Sequence, residues 1–283
     1  MAESVEYVGR RRAMETLMVP RQKRANMEDY SHAPVSVADK RAIVVGGTSG
    51  LGQAIAVGFA ADGADVIATS RSQDAVDETA SLLEERGADT ARVTCDVLDR
   101  DSLEHVRDIA RETFGGIDIV VASQGAISRE TVLGIEDDDW EFVTDVALDG
   151  VRRVTQVFAP AMDVGGSIIN ISSLAARLSM TNLPAYSAAK GGVEAFTRAS
   201  AKELAPEVRV NAIAPGFFIT PQNADTYADG TEKRAKIDDR TPMGRVGERE
   251  ELIGAAIYLS SDASSFVTGE VLTVDGGFAD SAF

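Results

Sequence analysis

Ser173, Tyr186 and Lys190 are residue types that move a proton to or from an oxygen atom. Tyr186 and Lys190 are four residues apart in an Ala-rich segment that Pro184 opens. That segment reads as a helix beginning at its proline, so both side chains lie on one face, a turn apart. Ser173 follows a run from Ser167 to Ile171 that reads as a short buried strand, and from the strand's carboxyl end it can face the same turn. A free phenol titrates near pH ~10, too high for easy exchange at neutral pH. A nearby ammonium favours phenolate and is expected to lower that value. The serine hydroxyl would donate to the reacting oxygen and steady the charge developing there. Tyr-x-x-x-Lys by itself is also what a solvated helix face looks like, so the surrounding elements must carry the argument.

Those elements begin at Lys40. Arg41 to Val45 reads as a strand, GGTSGLG follows from Gly46 to Gly52, and a helix pattern runs on to about Asp62. Glycines at 46, 50 and 52 let the backbone turn tightly and approach a pyrophosphate at the positive end of that helix. A second strand, Asp65 to Thr69, ends in Ser70 and Arg71, where a site for the unphosphorylated dinucleotide would place an acidic residue. A hydroxyl and a planar cation there suit a 2′-phosphate, so NADP is expected, with NAD as the alternative.

The alternation continues with helices near 72–86, 99–114, 138–162 and 248–261, and strands at 90–95, 117–122, 207–213 and 271–274. Seven strands alternating with helices predict a single doubly wound α/β domain, its parallel sheet covered on both faces. Asp96 and Val97 follow the third strand, where an adenine would rest, and Ser123 to Gly125 follow the fourth.

Composition narrows the partners. A net charge of −17 argues against nucleic acid and anionic membranes. The single Cys95 and two histidines leave neither a disulfide nor a metal centre to expect. No apolar run spans a bilayer and no signal-peptide pattern opens the chain, so a cytoplasmic protein is expected. Residues 1–36 carry an arginine-rich, aperiodic sequence and read as a mobile N-terminal extension, with the domain proper at 37–283.

Taken together, these motifs resemble the short-chain dehydrogenase/reductase family over roughly residues 38–278. VGGTSGLG is similar to the family's T-G-x-x-x-G-x-G, with Val45 in place of Thr, and brings Thr48, Ser49 and Leu51 into the expected cofactor site. CDV at 95–97 matches the adenine-contacting Asp, and ASQG at 122–125 stands in for N-N-A-G. NAIAPGFFIT at 211–220 resembles the segment covering the nicotinamide, with Pro215, Gly216, Phe218 and Thr220 at contact positions. The resemblance implies a Rossmann-type fold, and an NAD(P)-dependent oxidoreductase interconverting a secondary alcohol and a ketone. In it Tyr186 handles the proton, Lys190 tunes Tyr186 and binds the nicotinamide ribose, and Ser173 orients the oxygen. It also implies a homotetramer, through the terminal segment SFVTGEVLTVDGGF at 265–278. The segment at about 217–245 corresponds to the family's substrate lid and is similar to that of members acting on sugar acids and polyols, with Gln222 and Asn223 offering hydrogen bonds to hydroxyls. One departure stands out: Ala147, in WEFVTDVALDG, occupies the place of the Asn that in relatives anchors a water joining Lys190 to solvent. That departure opens the alternative of a cofactor-binding sensor or scaffold with vestigial chemistry.

Overall fold

Runs of Ile, Val and Ala buried on both sides have one stable arrangement, a parallel sheet sandwiched between helices. In the computed structural model, which describes residues 31–281, six strands form that sheet. They are β1 (Arg41–Val45), β2 (Asp65–Thr69), β3 (Ile119–Ala122), β4 (Gly166–Ile171), β5 (Val208–Pro215) and, late in the chain, β8 (Val271–Val274). Their order is β2-β1-β3-β4-β5-β8 and every pairing is parallel. The chain winds outward one way from β1 to β2, then returns to place β3 on the other side. The carboxyl ends of β1 and β3 are therefore the switch point, where an open sheet leaves a crevice.

Alternate strand residues feed two separate cores. Ile43, Val120, Ile168 and Val210 face one side, against α3 (Arg100–Phe114), α5 (Gly150–Phe158) and α6 (Pro184–Leu204), which contribute Leu103, Val154, Phe158 and Val193. Val44, Ile119, Val121 and Ile169 face the other, against α1 (Gly50–Ala61), α2 (Gln73–Glu84) and α8 (Ile253–Ser260), which contribute Phe59, Leu83 and Leu259. Each of these side chains is removed from water, at roughly 1.5–3 kcal/mol apiece.

The expected seventh strand does not form. The segment at 90–95 runs beside β2 but is joined to it by scattered bonds, Val66 N to Asp89 O at 3.1 Å, Asp89 N to Asp65 Oδ1 at 2.8 Å, Cys95 N to Ser70 O at 2.9 Å and Thr69 Oγ1 to Val93 O at 2.6 Å. These bonds hold its two ends and, through the Thr69 side chain, the Val93 carbonyl between them, and no ladder forms. The helix expected at 138–162 is also divided: α4 (Asp137–Thr144) gives way to a π-helical turn, Asp145–Asp149, before α5, and a 3₁₀ turn at Ala159–Ala161 ends it. The segment after β5 forms β6 (Phe218–Ile219) and α7 (Glu232–Arg240), and β6 pairs in parallel with β7 (Gly247–Glu248). Ile237 of α7 packs with Leu174, Val246 and Phe278 in a small core of its own. Of the expected N-terminal extension, residues 1–30 lie outside the described residues.

Candidate active site

The crevice at the switch point is a cleft of about 630 Å³. Its floor is the turn between β1 and α1. Gly46 N and Gly47 N donate to Thr69 O at 2.8 and 3.1 Å, which ties the turn to β2. A Cβ on Gly46 would stand 2.7 Å from Gln124 N, and one on Gly52 would stand 2.2 Å from Gly46 O. Only glycine lets the turn close this tightly. Ser49, the residue before α1, makes no side-chain cap, so the first amides of that helix are open to a ligand at its positive end.

The cleft gathers most of the predicted residues. Gly46, Ser49, Gly50, Leu51 and Gly52 line it at the turn, Ser70, Arg71, Asp96 and Val97 at one end, and Ser123 and Gly125 at the end of β3. Ser173, Tyr186, Lys190, Pro215, Gly216, Thr220 and Gln222 line the other end. Three predicted residues fall outside the lining. Thr48 is buried and donates through Oγ1 to Ser70 Oγ at 2.7 Å, so it holds Ser70 in place. Phe218 is buried in the core beside α8. Asn223 spends its amide on its own loop, accepting from Thr220 N at 2.8 Å and donating to Phe218 O at 2.9 Å. Gln222 reaches over the glycine turn, its Oε1 lying 3.4 Å from where a Cβ on Gly50 would be.

At the far end the trio converges as its spacing predicted. Tyr186 and Ser173 line the same end of the cleft, where the serine hydroxyl favours the phenolate, and Ser173 Oγ accepts from Ala175 N at 3.1 Å. Lys190 is buried, donates from Nζ to Ile171 O at 2.7 Å, and stands 5.7 Å from the centre of the Tyr186 ring. Behind it, one turn further along α6, the buried Glu194 accepts from Ser172 Oγ at 3.3 Å and from Arg177 Nε at 3.1 Å. This network fastens the turn that carries Ser173 to the helix that carries Tyr186.

The electrostatics differ from the sequence expectation in one respect. Burial pushes the Tyr186 phenol up from its ordinary value, and the bond to Ser173 pulls it back only in part. Burial likewise pushes the Lys190 ammonium down, to about 8. A phenol held protonated and a lysine poised near neutrality are suited to donating and replenishing a proton.

Lining residues outside the expected site include Gln124, Cys95, Phe142 and Val146. Phe142 and Val146 sit four apart across the π turn, a spacing visible in the sequence but indistinguishable there from core packing. Gln124 is buried, and neither atom of its amide has a partner among the described residues. Its Nε2 lies 3.3 Å from where a Cβ on Gly150 would be, at the start of α5, whereas Ala147 is fully buried in the π turn before it.

Arg71, which has no side-chain partner among the described residues, the open amides of α1 and the glycines that admit no Cβ fit a phosphorylated dinucleotide along the cleft. The doubly wound sheet, glycine turn and Ser–Tyr–Lys trio define an α/β oxidoreductase of the dinucleotide-binding class. Comparison with known proteins agrees. Residues 45–279 match the family model described as enoyl-(acyl carrier protein) reductase. A 2-dehydro-3-deoxy-D-gluconate 5-dehydrogenase of Bacillus subtilis is 37% identical over 254 residues, 88% of this chain and 98% of the relative. A 3beta-hydroxysteroid dehydrogenase of Eggerthella lenta is 39% identical over 244 residues, 84% of this chain and 93% of the relative. A solved structure described as an NAD(P)-dependent gluconate 5-dehydrogenase from Beutenbergia cavernae, with NADP bound at low occupancy, superposes with a TM-score of 0.81 at 37% identity, covering 88% of this chain and 100% of its own. The chain belongs to the short-chain dehydrogenase/reductase family.

Proposed function

We propose that the protein is an NADP-dependent oxidoreductase that interconverts a secondary alcohol and a ketone on a sugar acid or a similar small hydroxylated substrate. The observation that carries this reading is the convergence of Ser173, Tyr186 and Lys190 at one end of a cleft whose other end presents Arg71. Relatives named for gluconate derivatives support the substrate class. When bound, NADP supplies or accepts the hydride. Tyr186 gives or takes the proton at the substrate oxygen, Ser173 Oγ holds that oxygen, and Lys190 offsets the charge left on the phenol. Ser70 and Arg71 hold the 2′-phosphate, and the amides of α1 hold the pyrophosphate. The segment 217–245 acts as the substrate lid of a domain spanning 37–283. A cytoplasmic homotetramer is the assembly that the family resemblance supports.

A second reading, a cofactor-binding sensor with vestigial chemistry, is favoured by Ala147. A panel of keto-sugar acids, polyols and simple ketones, followed by NADPH and NADH absorbance, separates the two. Turnover of at least one hydroxylated ketone with NADPH is expected; cofactor binding without turnover of any member would favour the sensor.

A further inference from the structure

The cleft wall at the end of β3 buries a carboxamide. Gln124 lines the cleft between Ser123 and Gly125 and is 9% exposed, yet neither its Oε1 nor its Nε2 has a hydrogen-bond partner among the described residues. The glycine turn presses on its backbone, since a Cβ on Gly46 would stand 2.7 Å from Gln124 N. Its side chain lies against the start of α5. A Cβ on Gly150 would meet Gln124 Nε2 at 3.3 Å and Val97 Cγ2 at 3.1 Å, so the carboxamide and the valine crowd one point on that helix. Beside them the wall is open, for a Cβ on Gly125 would meet nothing within 4 Å. A carboxamide buried with donor and acceptor both unpaired destabilises a fold, and native proteins keep few such groups.

The chemistry of the neighbours narrows what would pair it. The phosphates of the cofactor are matched by Arg71 and the open amides of α1, and an uncharged carboxamide adds little to them. Asp96 and Val97 share this wall, where the adenine is expected. An ionised Asp96 only accepts, and its Oδ1 already takes Leu98 N at 2.9 Å. The edge of adenine carries a donor beside an acceptor, the 6-amino group and a ring nitrogen. A carboxamide presents the matching acceptor and donor in one plane.

We propose that Gln124 is a specificity residue for the adenine of the cofactor: its carboxamide turns from Gly150 toward the open wall at Gly125 and pairs with the 6-amino group and the ring nitrogen beside it. The unpaired amide destabilises the free protein, and adenine binding relieves it. This rests on the NADP reading above and adds selection of the base to the selection of the 2′-phosphate by Arg71.

The test is calorimetric titration of the full chain with NADP and with nicotinamide hypoxanthine dinucleotide phosphate, in which an oxygen replaces the 6-amino group. Thermal melts of the cofactor-free protein accompany it. Wild type is compared with Gln124→Met, which keeps the length and drops both polar atoms, and with Gln124→Ala. Wild type should prefer NADP, and each variant should lose about tenfold of that preference, nearly all of it through weaker NADP binding. Gln124→Met should raise Tm by about 2–4 °C, whereas Gln124→Ala, which leaves a cavity, should lower it. The same loss of preference in two variants of opposite stability separates recognition from folding. A preference kept in both variants, an equal loss with both nucleotides, or a Gln124→Met protein that melts below wild type overturns the assignment to adenine and leaves the NADP reading standing. A wild type that binds neither nucleotide overturns the NADP reading, and this assignment with it.

Discussion

Replacing Lys190 by Met should stabilise the cofactor-free protein while removing its activity. The ammonium sits fully buried, drops from an ordinary 10.5 to about 8, and has no counter-charge. At about 1.4 kcal/mol per pH unit, that drop corresponds to a penalty of roughly 3 kcal/mol on the charged form. Met fills a similar volume, removes the penalty, and loses the bond from Nζ to Ile171 O, worth about 1.5 kcal/mol for a charged donor. The net gain at neutral pH is then about 1–2 kcal/mol, or roughly 3–6 °C in Tm for a chain of this size. The pH dependence follows from the direction of the shift. The unfolded lysine keeps its proton up to 10.5 and the folded one releases it through about 8. Between those values the unfolded chain holds more protons, so wild-type stability rises with pH. The advantage of Lys190→Met should therefore be full below about pH 8 and gone by pH 10.5. Thermal melts of both proteins across that range measure it. A variant less stable than wild type at pH 7, or an offset that does not change with pH, would refute the reasoning.

Arg71→Ala should lower kcat/KM with NADPH by about tenfold to a hundredfold and leave NADH almost unaffected, the loss of a charge-assisted phosphate contact; an equal loss with both would remove Arg71 from that role. Gly52→Ala should weaken NADPH binding at least about tenfold and lower Tm, because its Cβ would stand 2.2 Å from Gly46 O and force the turn open; wild-type affinity would contradict this. Cys95 lines the cleft, but burial pushes its thiol up to about 12. Alkylation by iodoacetamide at about pH 8 should stay slow until the protein unfolds, and rapid labelling of the native chain would show the thiol to be activated.

Periodicity and spacing were enough to foresee the sheet, the glycine turn and the trio, because each is local: alternation fixes burial, and four residues fix a helix face. What the sequence hid depends on contacts between distant segments. The stretch at 90–95 is apolar enough to read as a strand, yet β2 holds it by its ends and by Thr69 rather than by a ladder. The π turn at Asp145–Asp149 leaves no mark that a continuous helix would lack. Asn223 looks like a ligand residue until its amide is seen closing its own loop. The Tyr186 phenol is pushed up rather than down because desolvation, which no spacing reports, is the largest influence on it.

The most direct test concerns the single proton that Tyr186 is held to donate. Tyr186→Phe keeps the ring and deletes the hydroxyl that shares the end of the cleft with Ser173. Reduction of a hydroxylated ketone should fall by about 10²–10⁴-fold in kcat while the NADPH dissociation constant stays at its wild-type value. A phenylalanine variant that turns over at the wild-type rate would contradict the account.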